Sequence, residues 1–135
     1  PLKPLGKVAS GGELSRVSLA IQVICARNLT VPSLVFDEVD VGVGGGVAEI
    51  VGRLLRELGQ HAQVLCITHQ PQVASQGHQH WQVHKIQGDD TTHTRIQGLD
   101  ETARVEELAR MLGGVEITES TRNHAKEMLS KAQAA

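Results

Sequence analysis

Residues 33–69 read SLVFDEVDVGVGGGVAEIVGRLLRELGQHAQVLCITH, and their pattern decides the fold class. After Pro32, the run SLVFDE is short and apolar and ends in two acids, which suits a strand buried on both faces of a parallel sheet. A glycine-rich loop, VDVGVGGG, follows. In VAEIVGRLLRELG, the residues Val47, Ile50, Val51, Leu54, Leu55 and Leu58 recur at helical spacing, and Gly59 ends the pattern. AQVLCIT is a second apolar strand and runs into His69. Strand, helix and strand in this length make a βαβ unit, so the two strands are predicted to lie parallel.

Upstream, VASGGELSRVSLAIQV (Val8–Val23) opens a helix in an unusual way. Ser10 and Glu13 have the spacing of a capping box, but the two residues between them are Gly11 and Gly12. Each glycine costs about 1 kcal/mol relative to alanine inside a helix. The helix is predicted from Gly11 to about Asn28, with Leu14, Val17, Ile21 and Ile24 inward and Ala20, Val23 and Cys25 widening that face. Downstream, HWQVHKIQ and THTRIQ flank Gly88-Asp89-Asp90 and predict a β-hairpin, with Trp81 as a packing residue. Two helices close the chain, one from Glu101 to Leu112 stopped by Gly113-Gly114, the other capped by Thr118 and running towards Lys131. The final AQAA is expected to fray.

The 135 residues suit one domain with a mainly aliphatic core, because the chain is 40% hydrophobic yet has one Phe, one Trp and no Tyr. Net charge is −2 with scattered Lys and Arg, so no basic face for nucleic acid is visible. Cys25 and Cys66 form no disulfide framework and read as inert core thiols in a reducing, cytoplasmic compartment. No run reaches the roughly 18 apolar residues of a membrane span, and PLKPLGK has no signal-peptide core.

Ligands of open α/β sheets bind beyond the carboxyl ends of the strands. Asp37, Glu38 and Asp40 collect at the end of the first strand and His69 at the end of the second. Adjacent strand residues point to opposite sides. Asp37 and Glu38 therefore suit different tasks, one holding Mg²⁺ and the other facing an attacking water. Solvated acids ending a strand are the plainer alternative. Ser10-Gly11-Gly12 likewise has two readings: a tightly packed capped helix, or an anion site of bare backbone N–H groups at the positive end of the helix dipole. Gly44-Gly45-Gly46 does not make a phosphate loop, since no Lys follows, and His78, His80 and His84 have no companion ligands for zinc.

SGGE at a helix start, LVFDEVD at a strand end and ITH at the next strand end together resemble the ATP-binding-cassette ATPases. There they are the signature motif, Walker B with its following loop, and the switch histidine. VASGGELSRVSLAI, FDEVDVGVGG and THQPQVAS resemble the SMC-like branch more closely than the transporters, and the likeness runs from about Lys7 to Leu129. It implies an α/β fold: the C-terminal half of a P-loop NTPase head, with a mostly parallel buried sheet flanked by helices, a small hairpin and two terminal helices. It implies that Ser10, Gly11 and Gly12 meet the γ-phosphate of ATP held by an opposing head, with Glu13 beside them at that ATP site and dimer interface. Asp37 would hold Mg²⁺ through water, Glu38 would polarise the hydrolytic water, and His69 would sense the γ-phosphate. Asp40 would lie at the head–head interface.

The resemblance further implies that residues 1–9 lead in from a coiled coil and 10–135 form the C-terminal lobe. The Walker A half belongs to another segment, so this chain alone is expected to be inactive. The implied partners are a second head joined through ATP, the N-terminal half with its coiled coil, and DNA through the parent protein, in bacterial double-strand break repair and recombination near the nucleoid, with no membrane. A transporter nucleotide-binding subunit and a non-catalytic α/β interaction module are the competing readings.

Overall fold

The computed structural model describes residues 20–26, 31–37, 40–87, 92–114 and 116–134. They fall into two compact units, one ending at Gln76 and the other starting at Gly77. In the first unit, α1 (residues 20–26) precedes β1 (Ser33–Asp37), α2 (Gly45–Leu58), β2 (Gln63–Ile67) and the short α3 (Pro71–Ala74). β1 and β2 pair in parallel, from Ser33 opposite Gln63 to Asp37 opposite Ile67, as the βαβ pattern predicts.

The core of this unit gathers Val23, Ala26, Phe36, Val43, Ala48, Val51, Leu55, Leu58 and Val73, with Leu34, Val64 and Cys66 packed against it. Only one face of the β1–β2 pair is therefore covered by described residues. Alternate positions face the other way, where Val35 is 67% and Ile67 54% exposed. The sequence pattern suits strands buried on both faces, and among the described residues one of those faces is open. A single crossover helix shields one side of a sheet, and the opposite side needs a further layer.

Two helical faces also differ from expectation. Val23 and Ala26 of α1 are buried, whereas Ile21, Ile24 and Cys25 are exposed, so Cys25 is not a core thiol; Leu14 and Val17 lie outside the described residues. In α2 the buried stripe is turned towards Ala48 and Gly52, and Ile50 is exposed. The cause is α3, a turn of helix started by Pro71 that the periodicity did not predict. α3 lies so close to α2 at Gly52 that a Cβ there would sit 3.0 Å from the Gln72 carbonyl oxygen.

The second unit begins with the predicted hairpin. β3 (Trp81–Gln87) and β4 (Thr92–Gly98) are antiparallel, with Trp81 opposite Gly98 and Val83 opposite Ile96. Trp81, Val83 and Ile96 share a face that no described residue covers, and Trp81 is exposed rather than packed. α4 (Glu101–Gly113) starts at Asp100, whose Oδ1 accepts from the Ala103 N–H at 2.8 Å. It ends at Gly114, whose φ of 66° is the left-handed value that glycine supplies at a helix end. α5 (Glu119–Ala134) is capped by Thr118, whose Oγ1 accepts from the Thr121 N–H at 3.2 Å.

α4 and α5 pack together through buried Leu108, Ala109, Ala125, Leu129 and Ala132. Arg122 crosses between them to Glu106 at 2.8 Å. Helix continues to Ala134 and Ala132 is buried, so fraying is not seen over residues 132–134, while Ala135 lies outside the described residues. Arg104 of α4 is buried and donates to the carbonyls of Gly77 at 2.7 Å and His78 at 3.3 Å, tying the segment before β3 to the helix. No described helix is long and apolar enough to cross a membrane.

Candidate functional site at the carboxyl edge of the parallel strands

Parallel pairing sends β1 and β2 out of the sheet at the same edge. Because Asp37 stands opposite Ile67, the Asp37 carboxylate and the Thr68-His69 pair leave the two strands side by side. Asp37 and His69 are both exposed there. This is the edge at which α/β sheets bind ligands. Ser10, Gly11, Gly12, Glu13 and Glu38 lie outside the described residues.

Asp40 behaves differently from Asp37. It has no exposed surface and accepts a hydrogen bond from the Thr68 hydroxyl through Oδ2. Its backbone carbonyl accepts from the Val43 N–H at 3.2 Å, closing a turn over residues 40–43. Gly42, third in that turn, has φ of 74°, a conformation that a side chain would strain. The turn is tied across to the segment after β2. Gln70 donates its side-chain amide to the Val43 carbonyl at 3.0 Å and its backbone N–H to the Thr68 hydroxyl at 2.9 Å. Thr68 and Gln70 were not singled out from the sequence; the signal available was a hydroxyl residue immediately before a strand-end histidine.

Electrostatics follow the burial. The Cys66 thiol, on β2 just before this edge, is pushed up to about 11, first by burial and then by the negative charge of Asp40. It is a protonated, unreactive thiol at neutral pH. His80 of the second unit is held below its ordinary value by burial and then by the Arg104 guanidinium, with Glu107 opposing. His78 is exposed and His84 stands opposite Arg95 across the hairpin. Among the described residues no three His, Cys, Asp or Glu side chains converge on one point. Mg²⁺ does not require that, since it keeps several waters and takes one or two carboxylates plus substrate phosphates. An exposed hard carboxylate such as Asp37, at an open strand edge, fits that mode.

No family model matches the chain. The DNA repair protein RecN of Vibrio cholerae is 58% identical over 132 residues, covering 98% of this chain and 24% of that protein. RecN of Bacillus subtilis is 48% identical over 132 residues, 98% of this chain and 23% of its own length. Along almost its whole length the chain is similar to a C-terminal part of RecN proteins. It spans about a quarter of the length of these relatives and matches a C-terminal part of them. Among solved structures, the SMC head domain from Thermotoga maritima superposes with a TM-score of 0.57 at 30% identity, covering 70% of this chain and 34% of that one. A chain from work on ATP-driven dimerization and DNA-stimulated activation of SMC ATPases gives 0.64 at 18% identity, covering 78% and 63%. The fold is that of the C-terminal half of an SMC-like head, as the motif order implied.

Proposed function

We propose that this chain is the C-terminal lobe of an SMC-like ATPase head that binds and hydrolyses ATP between two heads, in a protein acting in DNA double-strand break repair and recombination. The observation that carries the reading is the shared edge of β1 and β2, where exposed Asp37 ends one strand and exposed His69 follows the end of the other. RecN relatives and SMC head neighbours support the same family of function.

Mg-ATP, when bound, supplies the phosphoryl group and the divalent charge that phosphoryl transfer needs. The work of the protein is then positioning and electrostatic stabilisation. In this reading Asp37 holds the ion through water and Glu38 takes up the proton of the attacking water. His69 donates a hydrogen bond to the γ-phosphate. Ser10, Gly11, Gly12 and Glu13 present a helix start with no side chains at its two glycines, so that the phosphates held by the opposing head can approach its N–H groups.

The uncovered face carrying Val35, Leu65 and Ile67 suits completion by the segment of the longer relatives that bears the Walker A loop, next to the coiled coil. DNA would be engaged by the complete protein. The deciding experiment is Glu38→Gln in the full-length protein. Phosphate release is expected to fall by about 10²-fold or more while ATP binding persists, leaving an ATP-bound dimer on size-exclusion chromatography. Unchanged turnover removes Glu38 from its assigned role.

A further inference from the structure

We infer that Asp40 is a positioning residue for His69, acting through the Thr68 hydroxyl inside its own chain. This rests on the ATPase reading above, in which Asp40 lies at the head–head interface and couples the two sites. A carboxylate with no exposed surface reaches no partner directly, whereas Val41 and Gly42 in the turn that it anchors are exposed.

The geometry is a closed ring of hydrogen bonds. Asp40 Oδ2 accepts from Thr68 Oγ1, and Thr68 Oγ1 accepts from the Gln70 N–H at 2.9 Å. Gln70 Nε2 donates to the Val43 carbonyl at 3.0 Å, and the Val43 N–H returns to the Asp40 carbonyl at 3.2 Å. A threonine hydroxyl has one proton, so its donation to Asp40 commits the rotor and aims a lone pair at the Gln70 N–H. Bonds to an ionised acceptor are roughly twice as strong as neutral ones, and burial strengthens them further. Asp40 Oδ1 is buried with no hydrogen-bond partner among the described residues, which leaves Thr68 as the described donor to this carboxylate.

His69 lies between the two residues that the ring holds. Its backbone is fixed on both sides while its imidazole stays exposed at the strand edge. Because the same ring contains the turn after β1, a displacement of that turn moves His69. The turn at 40–43 and the histidine after β2 are thus one mechanical unit.

The test uses the full-length protein with Thr68→Val, which keeps the volume and removes the hydroxyl, and Thr68→Ser, which restores it. Amide exchange read by mass spectrometry reports the ring, and steady-state ATP hydrolysis reports the positioning. Thr68→Val is expected to speed exchange of the segment around Gln70 and to lower kcat by about tenfold or more, with KM for ATP changing by less than about threefold. Thr68→Ser is expected to recover both readouts. Asp40→Asn combined with Thr68→Val should lower kcat little further than Thr68→Val alone, since both break one ring. A merely structural role would reduce the active fraction without that non-additivity or the serine rescue. Unchanged exchange in Thr68→Val overturns the ring, and faster exchange with unchanged kcat overturns the positioning role. A wild-type protein that hydrolyses no ATP overturns the ATPase reading itself, and this inference with it.

Discussion

Gly52 offers a test in which the sign of an effect follows from three distances. A Cβ at this position would fall 2.8 Å from Gln76 Cγ, 3.0 Å from the Gln72 carbonyl oxygen and 3.1 Å from Val73 Cα. The first neighbour is side chain, but the other two are backbone of α3 and cannot turn away. Forcing a methyl group into such packing costs about 1–3 kcal/mol. Alanine recovers about 1 kcal/mol through its higher helix propensity. The balance for Gly52→Ala is therefore a net loss of about 1 kcal/mol, reaching about 2 if α3 cannot shift. With a urea m-value of about 2 kcal/mol/M, the midpoint should fall by about 0.5–1 M.

Gly46, in the first turn of the same helix, is exposed with no atom within 4 Å of its would-be Cβ. Gly46→Ala should leave the midpoint unchanged or raise it by up to about 0.5 M, since only the propensity gain operates. The assay is equilibrium urea unfolding of the two variants beside the parent. If Gly52→Ala raises the midpoint as much as Gly46→Ala does, the close crossing of α2 and α3 is not a feature of the folded protein. Because α3 begins two residues after His69, Gly52→Ala should also loosen the strand edge that holds that histidine.

Calorimetry on this chain alone is expected to show no tight Mg-ATP binding, because the proposed reading assigns the phosphate loop to another segment; affinity in the micromolar range would contradict that. His80, held below its ordinary value of 6.5, is neutral in the fold, so the unfolded chain takes up its proton first as pH drops. Stability from this group is complete above about pH 6.5 and declines as pH falls below it, and His80→Gln should flatten that part of a urea-midpoint profile. Cys66, with its thiol raised to about 11, should resist alkylation at neutral pH, while exposed Cys25 is modified first. Peptide mapping after limited iodoacetamide treatment reads the order, and faster labelling of Cys66 would contradict the burial.

The amino-acid sequence by itself determined the local elements and their order. Apolar spacing marked α2, and short apolar runs marked β1 and β2. Gly59 and Gly114 stopped helices, and Asp100 and Thr118 started them, because caps and periodicity are properties of neighbouring residues. It also brought Asp37 and His69 to one edge, since a βαβ unit forces its two strands to end on the same side. The tertiary structure alone decided which face of each element is covered. Ile21, Ile24, Ile50, Val35 and Trp81 carry the same apolar character as their buried neighbours, yet each is more than half exposed. It also separated the acids at 37 and 40, leaving one exposed and burying the other against Thr68, 28 residues away. Burial and hydrogen-bond partnership across such distances depend on which elements meet in space, and a linear pattern of polar and apolar residues does not encode that meeting.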